Sequence, residues 1–134
     1  MIQAPNDFKD SFLALKKALL RLSEALKENY QKNHLVIDAA IQRFEFCIEL
    51  MWKNLKRFLE YEGINASSPR EVLKEAFAIN MISEEEIWLN MLRARNLTSH
   101  TYNEDTAMNI YQELPDFYQK MKETVESLEE KYYK

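Results

Sequence analysis

Glycine occurs once, at Gly63, and proline three times, at Pro5, Pro69 and Pro115. A chain so poor in turn formers cannot supply the breaks that many short strands require, so an all-α fold is expected. Cysteine also occurs once, and Cys47 therefore has no partner for an internal disulfide. With two histidines and no His-Glu-x-x-His, Glu-x-x-His or Cys-x-x-Cys spacing, the usual ligand sets of zinc and di-iron bundles are missing; neither a metal nor another cofactor is expected. No apolar run approaches the roughly 20 residues of a membrane span. The stretch from Met1 to Asp7 lacks a basic flank leading into an apolar core. Both absences point to a soluble, cytoplasmic protein without a membrane partner. An excess of positive charge is lacking too: 18 basic against 22 acidic side chains leave a net charge of −4, so any RNA-binding site must be local.

What is present is helical periodicity. The chain has 134 residues, 46% of them hydrophobic and 30% charged, which suits one domain spanning residues 1–134. Phe8, Phe12, Leu15, Leu19, Leu22 and Leu26 recur at spacings of four and three, predicting a first helix from Asp7 to about Tyr30. After a polar junction at Asn33 and His34, where His34 reads as a surface residue, a long second helix carries Ile37, Ile41, Phe44, Ile48, Met51, Leu55 and Phe58. Ala40, Cys47, Trp52 and Leu59 widen its apolar face, and Gly63 stops it. On its polar side Glu45, Glu49 and Lys53 recur every four residues, the spacing of supporting ion pairs, with lining a pocket as the alternative role.

Ser68-Pro69-Arg70-Glu71 combines an N-cap, a proline at the first helical position and a glutamate at the third, opening a short helix that carries Val72, Leu73, Ala76 and Phe77 and fades near Asn80. Ser83-Glu84-Glu85-Glu86 fits a second capping box before Ile87, Trp88, Met91 and Leu92, and Thr101-Tyr102-Asn103-Glu104 fits a third, with Thr101 as N-cap of the last helix. That last helix carries Ala107, Ile110, Leu114, Phe117, Met121, Val125 and Leu128. Pro115 should kink or split it, and residues 129–134 should fray. The expected architecture is an antiparallel bundle of four main helices plus one short one. Trp52, Trp88, Phe44, Phe58 and Phe117 read as its aromatic core.

Chemistry concentrates in Arg95-Asn96-Leu97-Thr98-Ser99-His100-Thr101-Tyr102, where a permanent cation, an imidazole that titrates near neutral pH and a phenol lie within eight residues. On an unbroken helix, five residues turn the chain by about 500°, leaving Arg95 and His100 roughly 140° apart. The caps predict a break between them, which would let them converge. Arg93 competes for the same role, because Arg93, Asn96 and His100 share a face if the helix continues through His100. Arginine with histidine suits a phosphodiester: the guanidinium neutralises charge developing on phosphoryl oxygens, and the imidazole moves a proton at a ribose 2′-hydroxyl or at the leaving oxygen. A positioned histidine contributes about 10² to 10⁴-fold in rate. Two copies of the motif meeting across a two-fold axis would make a fuller site. The competing structural account is also concrete, since basic residues at a helix C-terminus complement its dipole and Tyr102 can be a core-edge ring.

The stretches Asp38 to Lys53, Ser68 to Leu73 and Arg95 to Tyr102 together resemble the nucleotidyltransferase substrate-binding proteins of the HEPN superfamily, and the HepT-like toxins within it. The similarity runs from about Phe8 to Leu128. Its most specific part is an arginine, four residues, a histidine, one residue and a tyrosine, matched by Arg95, His100 and Tyr102, with Asn96 following the arginine; this match favours Arg95 over Arg93. The resemblance implies a HEPN-like helical bundle that forms a homodimer, places two motifs in one cleft and associates with a minimal nucleotidyltransferase. In the HepT-like branch it implies a metal-independent ribonuclease toxin in which Arg95 stabilises phosphoryl charge and His100 is the acid or base. Tyr102 would be the tyrosine adenylylated by the nucleotidyltransferase antitoxin, and Asn96 and Arg93 supporting residues. The alternative it leaves open is a non-catalytic substrate-binding or nucleotide-binding subunit of a two-component complex.

Overall fold

The computed structural model describes the backbone of residues 8–100 and 103–134, and the side chains of these residues except Ser99 and His100. Five helices are present among them: α1 (Lys9–Lys27), α2 (Leu35–Tyr61), α3 (Pro69–Ala78), α4 (Glu85–His100) and α5 (Glu104–Tyr133). No strand occurs among the described residues, as the scarcity of glycine and proline requires.

Pairs between helices give the topology. Asn54 reaches the Ser11 carbonyl and Arg43 that of Arg21, so α1 and α2 are antiparallel. Arg95 meets Glu49 and Thr98 meets Glu45, so α4 is antiparallel to α2. Phe44 stacks on Phe117 and Phe58 on Tyr132, so α2 and α5 run parallel, across the diagonal of an up-down-up-down bundle. Helix α2 packs against all four other helices, which explains its continuous buried row from Ile37 through Phe44, Met51 and Leu55 to Leu59.

The helix ends follow local chemistry. The side-chain oxygens of Asn29 and Asn33 accept the amides of Gln31 and Leu35, and these two Asx turns end α1 at Lys27 rather than near Tyr30. Gly63, at φ +86°, closes α2 in a Schellman motif: Gly63 N–H donates to Glu60 O (3.0 Å) and Ile64 N–H to Leu59 O (2.8 Å). Ser68 caps α3 as expected, its Oγ accepting the Glu71 amide at 3.1 Å; Glu71 in turn accepts the amide of Ser67, one residue before the cap.

Several expectations are corrected. Ser83 does not cap α4, which begins at Glu85 after a Glu84 held at φ +58°; the Ser83 carbonyl instead accepts the Trp88 indole N–H and its Oγ accepts Lys120. The N-cap of α5 is Asn103, whose side chain accepts the Thr106 amide at 2.9 Å, two residues beyond the expected Thr101. Asparagine is at least as good a cap as threonine. Pro115 does not split α5, because it lies on the exposed face, where water can satisfy the Tyr111 carbonyl it leaves without a donor. The C-terminal segment is helical to Tyr133 and anchored: Tyr132 is buried and stacked on Phe58 at 4.4 Å between ring centroids, and Lys131 pairs with Glu62 at 3.3 Å. Phe77, expected in the core, is 41% exposed, and Trp52 lies half-buried at the rim.

Cys47 has no exposed surface, and burial pushes its thiol up to about 12. It should therefore resist iodoacetamide at pH 8 in the folded protein and react fully in denaturant. Because its folded value lies above its unfolded one, its contribution to stability is present below about pH 9 and falls as pH rises toward 12. Tyr132→Ala removes a buried ring and should cost about 3 kcal/mol in thermal or denaturant unfolding; a frayed tail would show no change.

Candidate functional site

Helix α4 carries the motif along the outer side of α2. Its N-terminal half is fixed by Trp88, Met91 and Leu92, all buried. Past Ala94 the apolar positions thin out, and polar contacts take over the packing on α2. Glu45 and Glu49, one turn apart on α2, face Thr98 and Arg95, three residues apart on α4; both spacings keep each pair on a single helix face.

Arg95 is the best-held cation in this region. Its Nη1 pairs with Glu49 Oε1 and its Nη2 donates to Asn96 Oδ1 at 3.4 Å, with the side chain 26% exposed. The Glu49 carboxylate is shared: its Oε2 accepts the Trp52 indole N–H at 3.3 Å and lies 3.9 Å from the Lys53 ammonium. Thr98 Oγ1 lies 2.9 Å from Glu45 Oε2 and 2.8 Å from the Arg95 carbonyl; its single proton serves one of them at a time, and the ionised carboxylate is the stronger acceptor. The guanidinium is thus held by a carboxylate with its side chain still partly exposed to solvent.

Arg93 is oriented differently. It is exposed, donates to Asn90 Oδ1 on its own helix, and borders shallow depressions shared with α3 and α5 rather than the α2 side. The structure therefore brings Arg95 and Thr98 together with Glu49 and Glu45, while Asn96 contacts Arg95 and also shares with Arg93 the depression toward α3.

The expected helix break between Arg95 and His100 is absent. The backbone is helical through His100 because the cap that opens α5 lies at Asn103, so positions 95 and 100 stand roughly 140° apart around one axis. Tyr102 and the His100 side chain lie outside the described residues. Glu45 and Glu49, assigned from sequence to ion pairs along their own helix, prove to be the partners of α4; only the weak 3.9 Å contact to Lys53 matches the sequence assignment. Their four-residue spacing was the available signal, but it could not name a partner on another helix. Among the described residues no group of three or more His, Cys, Asp or Glu is arranged to hold a metal ion, and no helix is long and apolar enough to cross a membrane.

Comparison with known proteins places this arrangement. The family model described as "Nucleotidyltransferase substrate binding protein like" matches residues 10–130. A Haemophilus influenzae (strain Rd) protein named "Probable ribonuclease HepT" is 32% identical over 115 residues, covering 80% of this chain and 79% of its own length. Among solved structures, a Thermus thermophilus protein superposes with a TM-score of 0.78 at 36% identity, covering 85% of this chain and 98% of its own. A Haemophilus influenzae protein described as showing the fold of a substrate binding domain of a nucleotidyltransferase gives 0.66 at 29% identity, over 92% and 97% of the two chains. The tri-AMPylated Shewanella oneidensis HEPN toxin, solved in complex with its MNT antitoxin, shares the fold with a TM-score of 0.68 at 17% identity, over 92% and 98%. With its helical bundle and with Arg95 in the arginine, histidine, tyrosine pattern, the chain belongs to the nucleotidyltransferase substrate-binding family, among the HepT-like proteins of HEPN fold.

Proposed function

We propose that this protein is a metal-independent endoribonuclease toxin that works as a homodimer, in the cytoplasm, beside a minimal nucleotidyltransferase that restrains it. The observation that carries this reading is Arg95, a motif cation turned toward α2, paired with Glu49 and partly exposed, in a chain 32% identical to a protein named as a ribonuclease. Arg95 binds the scissile phosphate and neutralises charge as the 2′-oxygen attacks phosphorus. His100 takes the proton from the 2′-hydroxyl or gives one to the departing 5′-oxygen, leaving a 2′,3′-cyclic phosphate and a 5′-hydroxyl. Asn96 steadies the guanidinium from its own helix. Arg93, which shares a depression with Asn96 on another side of α4, lends positive charge to the approach.

The continuous α4 makes the dimer a chemical requirement of this reading. Positions 95 and 100 diverge on one helix, so Arg95 of one copy works with His100 of the other, and a two-fold axis yields two such pairs. Tyr102 accepts AMP from ATP through the nucleotidyltransferase: its phenol oxygen attacks the α-phosphorus and pyrophosphate leaves. The added negative charge and bulk then oppose entry of an RNA phosphate. The Shewanella oneidensis toxin that shares this fold carries three AMP groups in the complex with its antitoxin.

A second reading is favoured by the family description and by the Haemophilus influenzae structure described as a nucleotidyltransferase substrate-binding domain. There the chain is a non-catalytic subunit, and the Arg95 site holds the enzyme's nucleotide substrate. Cleavage decides between them. Unmodified protein, verified by intact mass, should cut RNA in EDTA and leave untouched a strand with a 2′-deoxy sugar at the linkage, and Arg95→Ala or His100→Ala should abolish cutting while keeping the helical circular dichroism; no cutting by the unmodified protein would favour the binding subunit. Glu49→Gln removes the anchoring charge but keeps the side-chain size, so cleavage should fall by about tenfold or more with melting little changed, since part-exposed ion pairs add little to stability.

A further inference from the structure

Positive charge is unevenly placed in this acidic protein. Lys53, Lys56 and Arg57 lie within five residues of α2 and line one open groove with Trp52, Tyr61 and Phe8; among the described residues Glu60 is the one carboxylate in its lining. Its volume of about 720 Å³ falls within the usual range of ligand sites. A second groove shares Lys53 and adds Lys17, Arg21 and Arg43, whereas five carboxylates (Glu84, Glu85, Glu86, Glu113 and Asp116) border a depression between α4 and α5.

Structural duties account poorly for these cations. Lys56 pairs with Glu60 at 3.7 Å and Lys53 with Glu49 at 3.9 Å, both exposed pairs one helical turn apart that add little to stability. Arg57 lies over the Phe8 ring at 5.9 Å. The two tryptophans divide sharply. Trp88 is fully buried with its N–H on the Ser83 carbonyl, but Trp52 is half-buried at the groove with the Lys53 ammonium 6.0 Å from its ring. The Trp52 N–H ends on Glu49, the same carboxylate that anchors Arg95, so groove and motif meet at one side chain. From Glu49 to Arg57 the helix rises about 12 Å, a reach of a few phosphates along an extended strand.

We infer that the Trp52, Lys53, Lys56 and Arg57 groove is a single-stranded RNA subsite, holding nucleotides that flank the linkage at Arg95. The cations track the phosphates and Trp52 stacks on a base, the pairing of charge and aromatic faces by which single strands are bound without sequence readout. This assignment rests on the ribonuclease reading for its substrate, but not for its test.

The test is binding of a labelled single-stranded RNA of mixed sequence, by fluorescence anisotropy across a salt series, to full-length His100→Ala protein. Adding Lys56→Glu and Arg57→Glu should weaken binding at least tenfold and flatten the salt dependence by roughly 0.7 for each phosphate that is no longer neutralised. The charge-matched control, Lys74→Glu with Lys122→Glu on exposed positions of α3 and α5, should leave both little changed. Trp52→Ala should weaken binding about tenfold. Trp52→Phe, which lacks the N–H to Glu49 but keeps a ring, should retain most of it. Equal losses in groove and control pairs, or undiminished binding in the groove variants, would overturn the subsite. A groove pair that releases the nucleotidyltransferase while keeping RNA affinity would also overturn it, giving the surface to an acidic protein partner. Wild-type protein that binds RNA through the groove but never cuts it would sink the ribonuclease reading and leave the subsite standing. Cutting that persists unchanged in the groove variants would do the reverse.

Discussion

The pairing of Arg95 with Glu49 fixes more of this molecule's chemistry than any other interaction. The second half of α4 has little apolar surface to offer, and Leu97 is 45% exposed, so the hydrophobic core that holds Trp88 and Met91 does not reach it. Polar pairs hold it instead, Glu49 to Arg95 and Glu45 to Thr98. The pairing also sets a condition for function. A guanidinium paired with a carboxylate is held in one orientation, and the proposed phosphate contact depends on that orientation.

Helix α2 is the structural counterpart of that ion pair. Its buried face meets the four other helices and carries some of the largest side chains of the core, including Phe44 and Phe58. Its outer face gathers Glu45 and Glu49 against α4, then Trp52, Lys53, Lys56 and Arg57 in the adjoining groove. One rigid element thus positions both the anchor of the motif arginine and the cations beside it, and a net charge of −4 hides this sorting because a cluster of opposing charge lies elsewhere, between α4 and α5.

The fold was largely legible in the sequence because its signals are local. The four-three rhythm of α1 and α2, Gly63 as a stop and Ser68-Pro69 as a start each depend on neighbours within a turn or two. The failures have a common cause. Tyr132 became a core residue through a stack on Phe58, more than seventy positions away; Pro115 was tolerated because its face looks to solvent; and Glu45 and Glu49 found partners on α4, in the case of Glu49 in addition to Trp52 and Lys53 on its own helix. At the motif the sequence reading took Thr101 as the N-cap of α5, whereas Asn103 caps it and α4 runs through His100. The preference for Arg95 over Arg93 rested on family resemblance in the sequence; in the structure Arg95 pairs with Glu49 on α2 and Arg93 with Asn90 on its own helix.

That unbroken helix leads to the central claim, that Arg95 and His100 work together only between copies. Mixing Arg95→Ala protein with His100→Ala protein under conditions of subunit exchange tests it most directly. Each mixed dimer would hold one site with both groups intact, so RNA cleavage absent from either variant alone should return, approaching a quarter of the wild-type rate at equal mixing. Cleavage that stays absent after verified exchange would contradict the account and place both groups of each site within one chain.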